Sequence, residues 1–423
     1  MEWNKIYTQY MYSYPHKSTY ERIPRLDLSQ WKDSFLGREM GLYFHIPFCE
    51  SKCGFCNLFS VTGTDHQEHA RYLDAIERHS EQMRSEVDLE QTRFTSLVLG
   101  GGTPMILAPD LLERSFLLAE KDYRFDFEKG FSVIESSPGA IDRDKLKILE
   151  DHFFKRLSIG VQSFIEEELR ILERFEKLPE VYGALEMIRK HKFRILNLDL
   201  IYGIPDQTER SFLYSLQEAM RFEPEEIFLY PLYKQPNARL YHKFEMDHRS
   251  QYQLYQIGRD FLKSQGYHQL SMRSFSKTMA QKPDCGFENT LSLGCGGRSY
   301  FDELHFCEPY VSERSECERE YRDYVRKKDF LKDLTMFILD PDERKRKYAI
   351  KNLLYVTGLS EEDYRKHFGS EFLSDFPFVN EWIEKGYVHR SERSFLTEEG
   401  MGLSDQIGPM FMSSKVRKKM GYD

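Results

Sequence analysis

Tyr43-Phe44-His45-Ile46-Pro47-Phe48-Cys49-Glu50-Ser51-Lys52-Cys53-Gly54-Phe55-Cys56 places three of the chain's seven cysteines within eight residues, spaced Cys-x3-Cys-x2-Cys. Three thiolates on one tight loop can each bind one iron of a [4Fe-4S] cube, and without a fourth cysteine nearby one iron stays open to a non-protein ligand. A structural zinc site is the alternative reading of the same residues. Zinc usually takes four ligands, commonly as Cys-x2-Cys pairs, which suits this spacing less well.

Outward from this loop, short apolar runs alternate with longer amphipathic stretches. The runs at 42–46, 96–99, 131–134, 157–161, 195–201 and 227–232 read as strands. Helical periodicity fills 66–86, 108–120, 142–151, 165–174 and 208–221 between them. Alternation of this kind builds a parallel α/β sheet, here a partial (β/α)6 TIM-like barrel. Each apolar run ends in a polar residue or special turn: the cysteine loop, Gly100-Gly101-Gly102-Thr103-Pro104, Glu135, Gln162, Asp199 and Tyr230. Functional groups of such barrels gather at the C-terminal ends of the strands, so these positions are expected to share one mouth. Three successive glycines remove every Cβ from their turn and let main-chain groups approach a ligand edge.

The flanks read differently. Residues 1–40 form an aromatic-rich lead without periodicity, and 41–300 carry the barrel pattern up to a glycine-containing stretch, Leu293-Gly294-Cys295-Gly296-Gly297-Arg298. Residues 301–343 are charge-dense and read as a helical connection, and 344–423 as a small, mostly helical accessory domain. Hairpin candidates at 386–390 and 394–397 make that unit winged-helix-like. Its acidic patches and lack of clustered arginines favour a packing or lid role over DNA reading.

Composition bounds the function. The 423 residues carry a net charge of −9 and are 40% hydrophobic and 30% charged, so nucleic acid is a poor partner and a folded, soluble protein is expected. No apolar signal core opens the chain and no run of about 18 apolar residues occurs, which points to the cytoplasm and to no membrane. An odd, clustered cysteine set argues for reduced thiols rather than disulfides. Cys285, Cys295, Cys307 and Cys317 lack a close pair and read as ordinary thiols rather than ligands of a second cluster.

Taken together, the cysteine loop, residues 99–104, Leu157-Ser158-Ile159-Gly160-Val161-Gln162-Ser163-Phe164 and Asn197-Leu198-Asp199-Leu200-Ile201-Tyr202-Gly203-Ile204-Pro205 resemble the radical S-adenosylmethionine (SAM) enzymes, and among them the oxygen-independent coproporphyrinogen III oxidase family. The resemblance implies a [4Fe-4S] cluster on Cys49, Cys53 and Cys56 whose open iron takes SAM. Reductive cleavage of SAM then yields a 5'-deoxyadenosyl radical that abstracts hydrogen. It also implies SAM contacts at Phe55, Gly101, Gly102, Thr103, Glu135, Gln162, Arg174, Asp199 and Ile201, and catalytic roles for Tyr43 near the cluster and Cys295 near substrate. The implied partners are a tetrapyrrole substrate and a flavodoxin- or ferredoxin-type electron donor, acting on a monomer. By residue chemistry alone, Glu135 can instead cap the helix that follows Pro138 and Arg174 can pair with a neighbouring glutamate on its own helix.

Two departures and one further resemblance bear on the reaction. Porphyrin-forming members often carry a cysteine where this chain has Leu58. Haem chaperones carry a His-Asn pair and Tyr-Trp where this chain reads Cys285-Gly286-Phe287-Glu288-Asn289-Thr290. The lead Tyr14-Pro15-His16-Lys17 resembles oxidases and radical methyltransferases that act on haem. Three expectations stay open: oxidative decarboxylation of a tetrapyrrole, methyl transfer using a second SAM, and a haem carrier with His268, His305 or Cys295 as axial ligand.

Overall fold

The computed structural model describes residues 6–7, 10–11, 13–35, 37–89, 91–235, 237–279 and 289–422. In chain order, β1 (Glu21–Arg25) precedes β2 (Glu39–Ile46), which leads through β3 (Phe48–Cys49) and β4 (Val61–Thr62) into α1 (His66–Glu86). The βα alternation continues with β5 (Arg93–Gly101), α2 (Pro109–Tyr123), β6 (Phe131–Ser136), α3 (Arg143–Asp151), β7 (Arg156–Gln162), α4 (Glu166–Ile171) and α5 (Leu178–Ile188). It closes with β8 (Ile195–Tyr202), α6 (Glu209–Met220), β9 (Glu226–Pro231) and α7 (His248–Ser264). All six sequence-read strands are present, side by side in the order β2-β5-β6-β7-β8-β9 and parallel throughout. Their central residues, including Leu42, Leu97, Ile134, Leu157, Leu198 and Leu229, are fully or almost fully buried, as expected of strands covered on both faces.

Several helices begin where a side chain satisfies one of the first free amides. Asp65 forms a capping box with Glu68 ahead of α1, and Asp142 and Thr208 cap α3 and α6. The helix read over 165–174 is shorter than expected. It stops at Ile171 because Glu173 adopts a left-handed conformation (φ 51°), and the Arg174 amide closes back on the Leu169 carbonyl at 2.9 Å. A glutamate rather than a glycine makes this turn, so no sequence cue marks it.

Beyond the parallel strands the sheet grows at both edges. β11 (Ser274–Ser276) adds antiparallel to β9, and β10 (His268–Gln269) adds antiparallel to β11 as the edge strand. On the other side β12 (Thr290–Leu293) pairs parallel with β2, followed by β13 (Arg298–Phe301), β14 (Leu304–Cys307) and β15 (Lys332–Ile338), with α8 (Arg314–Arg326) packed on α1. β1 closes this edge antiparallel to β15, making thirteen strands among the described residues.

Two domain readings therefore need correction. The lead is not wholly irregular, since β1 is the outermost strand; Pro24, which cannot donate to a ladder, is tolerated at an edge and hides the strand pattern. Residues 301–343 are not a helical connection, because a boundary at 300 would cut the β13–β14 hairpin. That hairpin turns on Asp302 (φ 49°) without a glycine to announce it. The C-terminal unit is mostly helical. It runs from α9 (Pro341–Leu353) through short helices to β17 (Val388–Arg390) and β18 (Arg393–Leu396), a hairpin joined by β16 (Leu359–Ser360) into a separate three-stranded sheet.

Candidate functional site

The C-terminal ends of the parallel strands enclose a cavity of about 480 Å3. Its wall contains Cys49, Cys53 and Cys56 together with Phe55, Gly101, Gly102, Thr103, Glu135, Gln162, Arg174, Asp199 and Ile201. Residues separated by up to 152 positions are thus gathered by one topological fact, the parallel register of the sheet.

Main-chain bonds fix the cysteine loop. The Gly102 amide donates to the Ile46 carbonyl (2.8 Å), the Thr103 amide to Phe48 (2.7 Å), and the Gly54 amide to Leu172 (3.0 Å). The glycines serve this contact. A Cβ at Gly102 would lie 2.6 Å from the Phe48 carbonyl oxygen, and one at Gly101 (φ 114°) 2.5 Å from the His45 ring. The room left by the missing side chains is filled by protein, which lets the turn sit directly against the cysteine loop.

Two side chains donate to the thiols: Thr103 Oγ1 to Cys49 Sγ (3.6 Å) and Arg174 Nη1 to Cys53 Sγ (3.4 Å). Burial pushes the Cys49 thiol up to about 12, against the Thr103 hydrogen bond, and raises Cys56 as well. Without a cation these thiols hold their protons, and a bound metal would displace them. Among the described residues no three His, Cys, Asp or Glu side chains gather tightly enough to hold one metal ion. A cube that spreads its thiolates over separate irons therefore fits this loop better than a single zinc ion. The Ser60 hydroxyl, 2% exposed and without a hydrogen-bond partner, also lies on the cavity wall, where an acceptor such as a cluster sulfide would satisfy it.

The opposite wall carries paired acids. Glu135 opens onto the cavity and accepts from the Gly101 amide at 3.2 Å; walling by protein on its other sides, and then nearby Asp199, raises its pKa to about 7. Asp199 rises to about 6 through burial, opposed by the Asn197 amide that donates to it at 2.7 Å. Gln162 occupies a bulge in the β7–β8 register with φ 71°, a strained conformation of the kind held in place at functional sites. Arg174 joins these walls: besides Cys53 it donates to the Gly160 carbonyl and pairs with Glu176 (3.2 Å). That glutamate is not on its own helix, because α4 ends at Ile171 and Glu176 lies in the loop beyond it.

Two sequence-read positions fall elsewhere. Cys295 does not face the mouth: it is fully buried, its amide donates to the Tyr72 hydroxyl (3.0 Å), and its thiol lies 3.5 Å from that oxygen. Gly294 and Gly296 (φ 98° and 93°) fold the β12–β13 turn onto His45, which drives Cys295 inward. Tyr43 is not part of the cavity wall; its hydroxyl donates to His45 Nδ1 (3.1 Å), while His45 Nε2 donates to the Phe59 carbonyl (3.1 Å). Of the axial-ligand candidates, His305 is buried between Tyr20 (3.2 Å) and Lys347 (3.0 Å), and His268 is exposed on β10. Cys285 lies outside the described residues.

Reading strand ends alone missed Ser158, Glu176 and Tyr233, which also line the cavity. Ser158 was within reach, since Ser158, Gly160 and Gln162 alternate on one face of β7.

A family model for the radical SAM superfamily matches residues 43–219. The match spans the strands from β2 to β8 and the helices between them. It is 25% identical over 382 residues to the haem chaperone HemW of Bacillus subtilis, covering 88% of this chain and 98% of that one. It is 33% identical over 194 residues to the oxygen-independent coproporphyrinogen III oxidase of Salmonella typhimurium, covering 46% and 42%. The solved structure of the coproporphyrinogen III oxidase HemN from Escherichia coli shares this chain's fold, with a TM-score of 0.80 over 95% of this chain at 23% identity. Radical SAM proteins use a [4Fe-4S] cluster and SAM. In this chain, no helix among the described residues is long and apolar enough to cross a membrane.

Proposed function

We propose that this chain is a radical SAM enzyme that carries its cluster on Cys49, Cys53 and Cys56 and abstracts hydrogen from a tetrapyrrole, as a coproporphyrinogen III oxidase-like dehydrogenase. The supporting observation is that every candidate ligand of cluster and SAM lies on the wall of one cavity. When bound and reduced, the cluster supplies the electron that splits SAM into methionine and a 5'-deoxyadenosyl radical.

The chain's own residues hold and orient. The Gly101–Gly102–Thr103 edge lines the place of the methionine end of SAM, its three amides already engaged by Glu135, Ile46 and Phe48. Glu135 and Asp199 present acceptors for an ammonium or for ribose hydroxyls, Gln162 can donate and accept, and Phe55 offers a ring to the adenine. Arg174, already bridging Cys53 and Gly160, orders the loop and faces a carboxylate. A flavodoxin- or ferredoxin-type protein is the electron donor in this reading.

A haem-carrier role is the second reading, supported by the nearly full-length match to a haem chaperone. None of the three axial-ligand candidates read from the sequence, His268, His305 and Cys295, lines the cavity. Anaerobic reconstitution with dithionite and SAM, followed by mass analysis, separates the readings. Formation of 5'-deoxyadenosine and CO2 from coproporphyrinogen supports the dehydrogenase. S-adenosylhomocysteine supports methyl transfer instead. Stoichiometric haem retention with an intact cluster and no 5'-deoxyadenosine overturns the enzyme reading in favour of the carrier.

A further inference from the structure

Part of the cavity wall runs through Tyr230, Leu232 and Tyr233, at the C-terminal end of β9 and just beyond it. Tyr233 is tied down from behind. Its hydroxyl donates to Asp405 and accepts from Arg273, and Arg273 and Asp405 form an ion pair whose side chains are 6% and 1% exposed. Asp405 belongs to the C-terminal unit, in the helix Ser404–Met410, whereas Arg273 precedes β11 at the sheet edge. Tyr10 of the lead lies across the guanidinium, 3.8 Å from ring centre to its carbon, and its ring stands 6.2 Å from that of Tyr230. Three remote parts of the chain meet behind one cavity residue.

Stability alone does not account for this arrangement. Burying an ion pair removes hydration that the mutual attraction roughly repays, and apolar residues of similar volume commonly do as well. Arg273 Nε is moreover buried without an acceptor, a further cost. What an ion pair with a bridging hydroxyl adds is direction, because it admits one orientation of the Tyr233 ring where an apolar contact admits several.

We propose that Arg273 and Asp405 are positioning residues that fix Tyr233, and that this wall seats the edge of the tetrapyrrole. The C-terminal unit thereby shapes substrate binding without touching substrate. The inference rests on the tetrapyrrole reading given above.

The test measures binding of coproporphyrin III to the anaerobic holoenzyme by fluorescence quenching, at matched iron content, for wild type, Tyr233→Phe, Asp405→Asn and the double variant. Tyr233→Phe removes only the bridging hydroxyl and leaves the ion pair, so it keeps the test alive should Asp405→Asn fold poorly. Each single variant is expected to weaken binding roughly tenfold, the loss of a hydrogen bond to a charged group, and the double variant no further, because both act through one ring. The melting temperature is expected to fall for Asp405→Asn and to hold for Tyr233→Phe. Wild-type binding by Tyr233→Phe, or weakening confined to Asp405→Asn alongside its melting temperature, overturns the positioning role and leaves the tetrapyrrole reading standing. Failure of wild type to bind coproporphyrin III overturns that reading and the inference with it.

Discussion

The two walls of the cavity are built by different means. The cysteine side is a main-chain construction: carbonyls and amides of residues 46–54 and 101–103 bond to one another, and glycines permit the approach. The tyrosine side is a side-chain construction in which the Arg273–Asp405 pair holds Tyr233 across 132 positions of sequence. The first should be intolerant of any added atom and the second of any lost charge or hydroxyl, because close main-chain packing has no room to yield whereas an ion pair has no substitute partner.

The contrast is open to attack at several points. Its severest test is Cys53→Ala, which should abolish the broad visible absorbance of thiolate-bound iron and reduce 5'-deoxyadenosine to background; full absorbance would sink the ligand assignment. Next comes Gly102→Ala, one methyl group aimed at the Phe48 carbonyl oxygen from 2.6 Å. Overpacking of this kind costs about 1–3 kcal/mol, and iron content after reconstitution should fall with it. An alanine variant with wild-type iron and melting temperature would show that the cysteine side yields more than its packing suggests.

The acids give a pH signature. Glu135, raised to about 7, is protonated at pH 6 and ionised at pH 8, so if its carboxylate meets a cationic or hydroxyl group of SAM, affinity should rise about tenfold over that interval. Glu135→Gln should flatten the profile, as isothermal titration at the two pH values would reveal. The same shift carries a stability sign: the folded state keeps a proton that the unfolded chain releases near pH 4.5, so this group favours the fold at low pH and the benefit fades as pH climbs through 7. Smallest is Thr103→Val, which removes the donor to Cys49 at similar volume. It should shift the cluster's reduction potential with less than about a threefold change in turnover, in keeping with a weak hydrogen bond to sulfur.

Legibility in the sequence followed the range of the forces involved. The six parallel strands were readable because each is a short apolar run punctuated by a polar residue at its C-terminal end, and Glu135, Gln162 and Asp199 stood out for that reason. Helix α1 was readable to its ends because Asp65 and Glu68 form a local cap. By contrast, β1 and β15 lie over 300 residues apart and pair through main-chain bonds that leave no mark on composition. Cys295 was misplaced because its glycine neighbours signal a turn without saying which way the thiol points. Arg174 was legible as a polar contact, but its bond to Cys53 depends on a left-handed glutamate that no sequence rule announces.

The sequence by itself determined the cysteine spacing, the alternation of strand and helix, and hence a parallel sheet whose polar ends face one way, since these follow from local periodicity and covalent order. Only the tertiary structure decided that the glycines make room for protein rather than ligand, that Cys295 turns inward onto Tyr72, and that Tyr233 is held by an acid from the far end of the chain. Those outcomes depend on which distant groups exclude water together, and burial of that kind has no period to read.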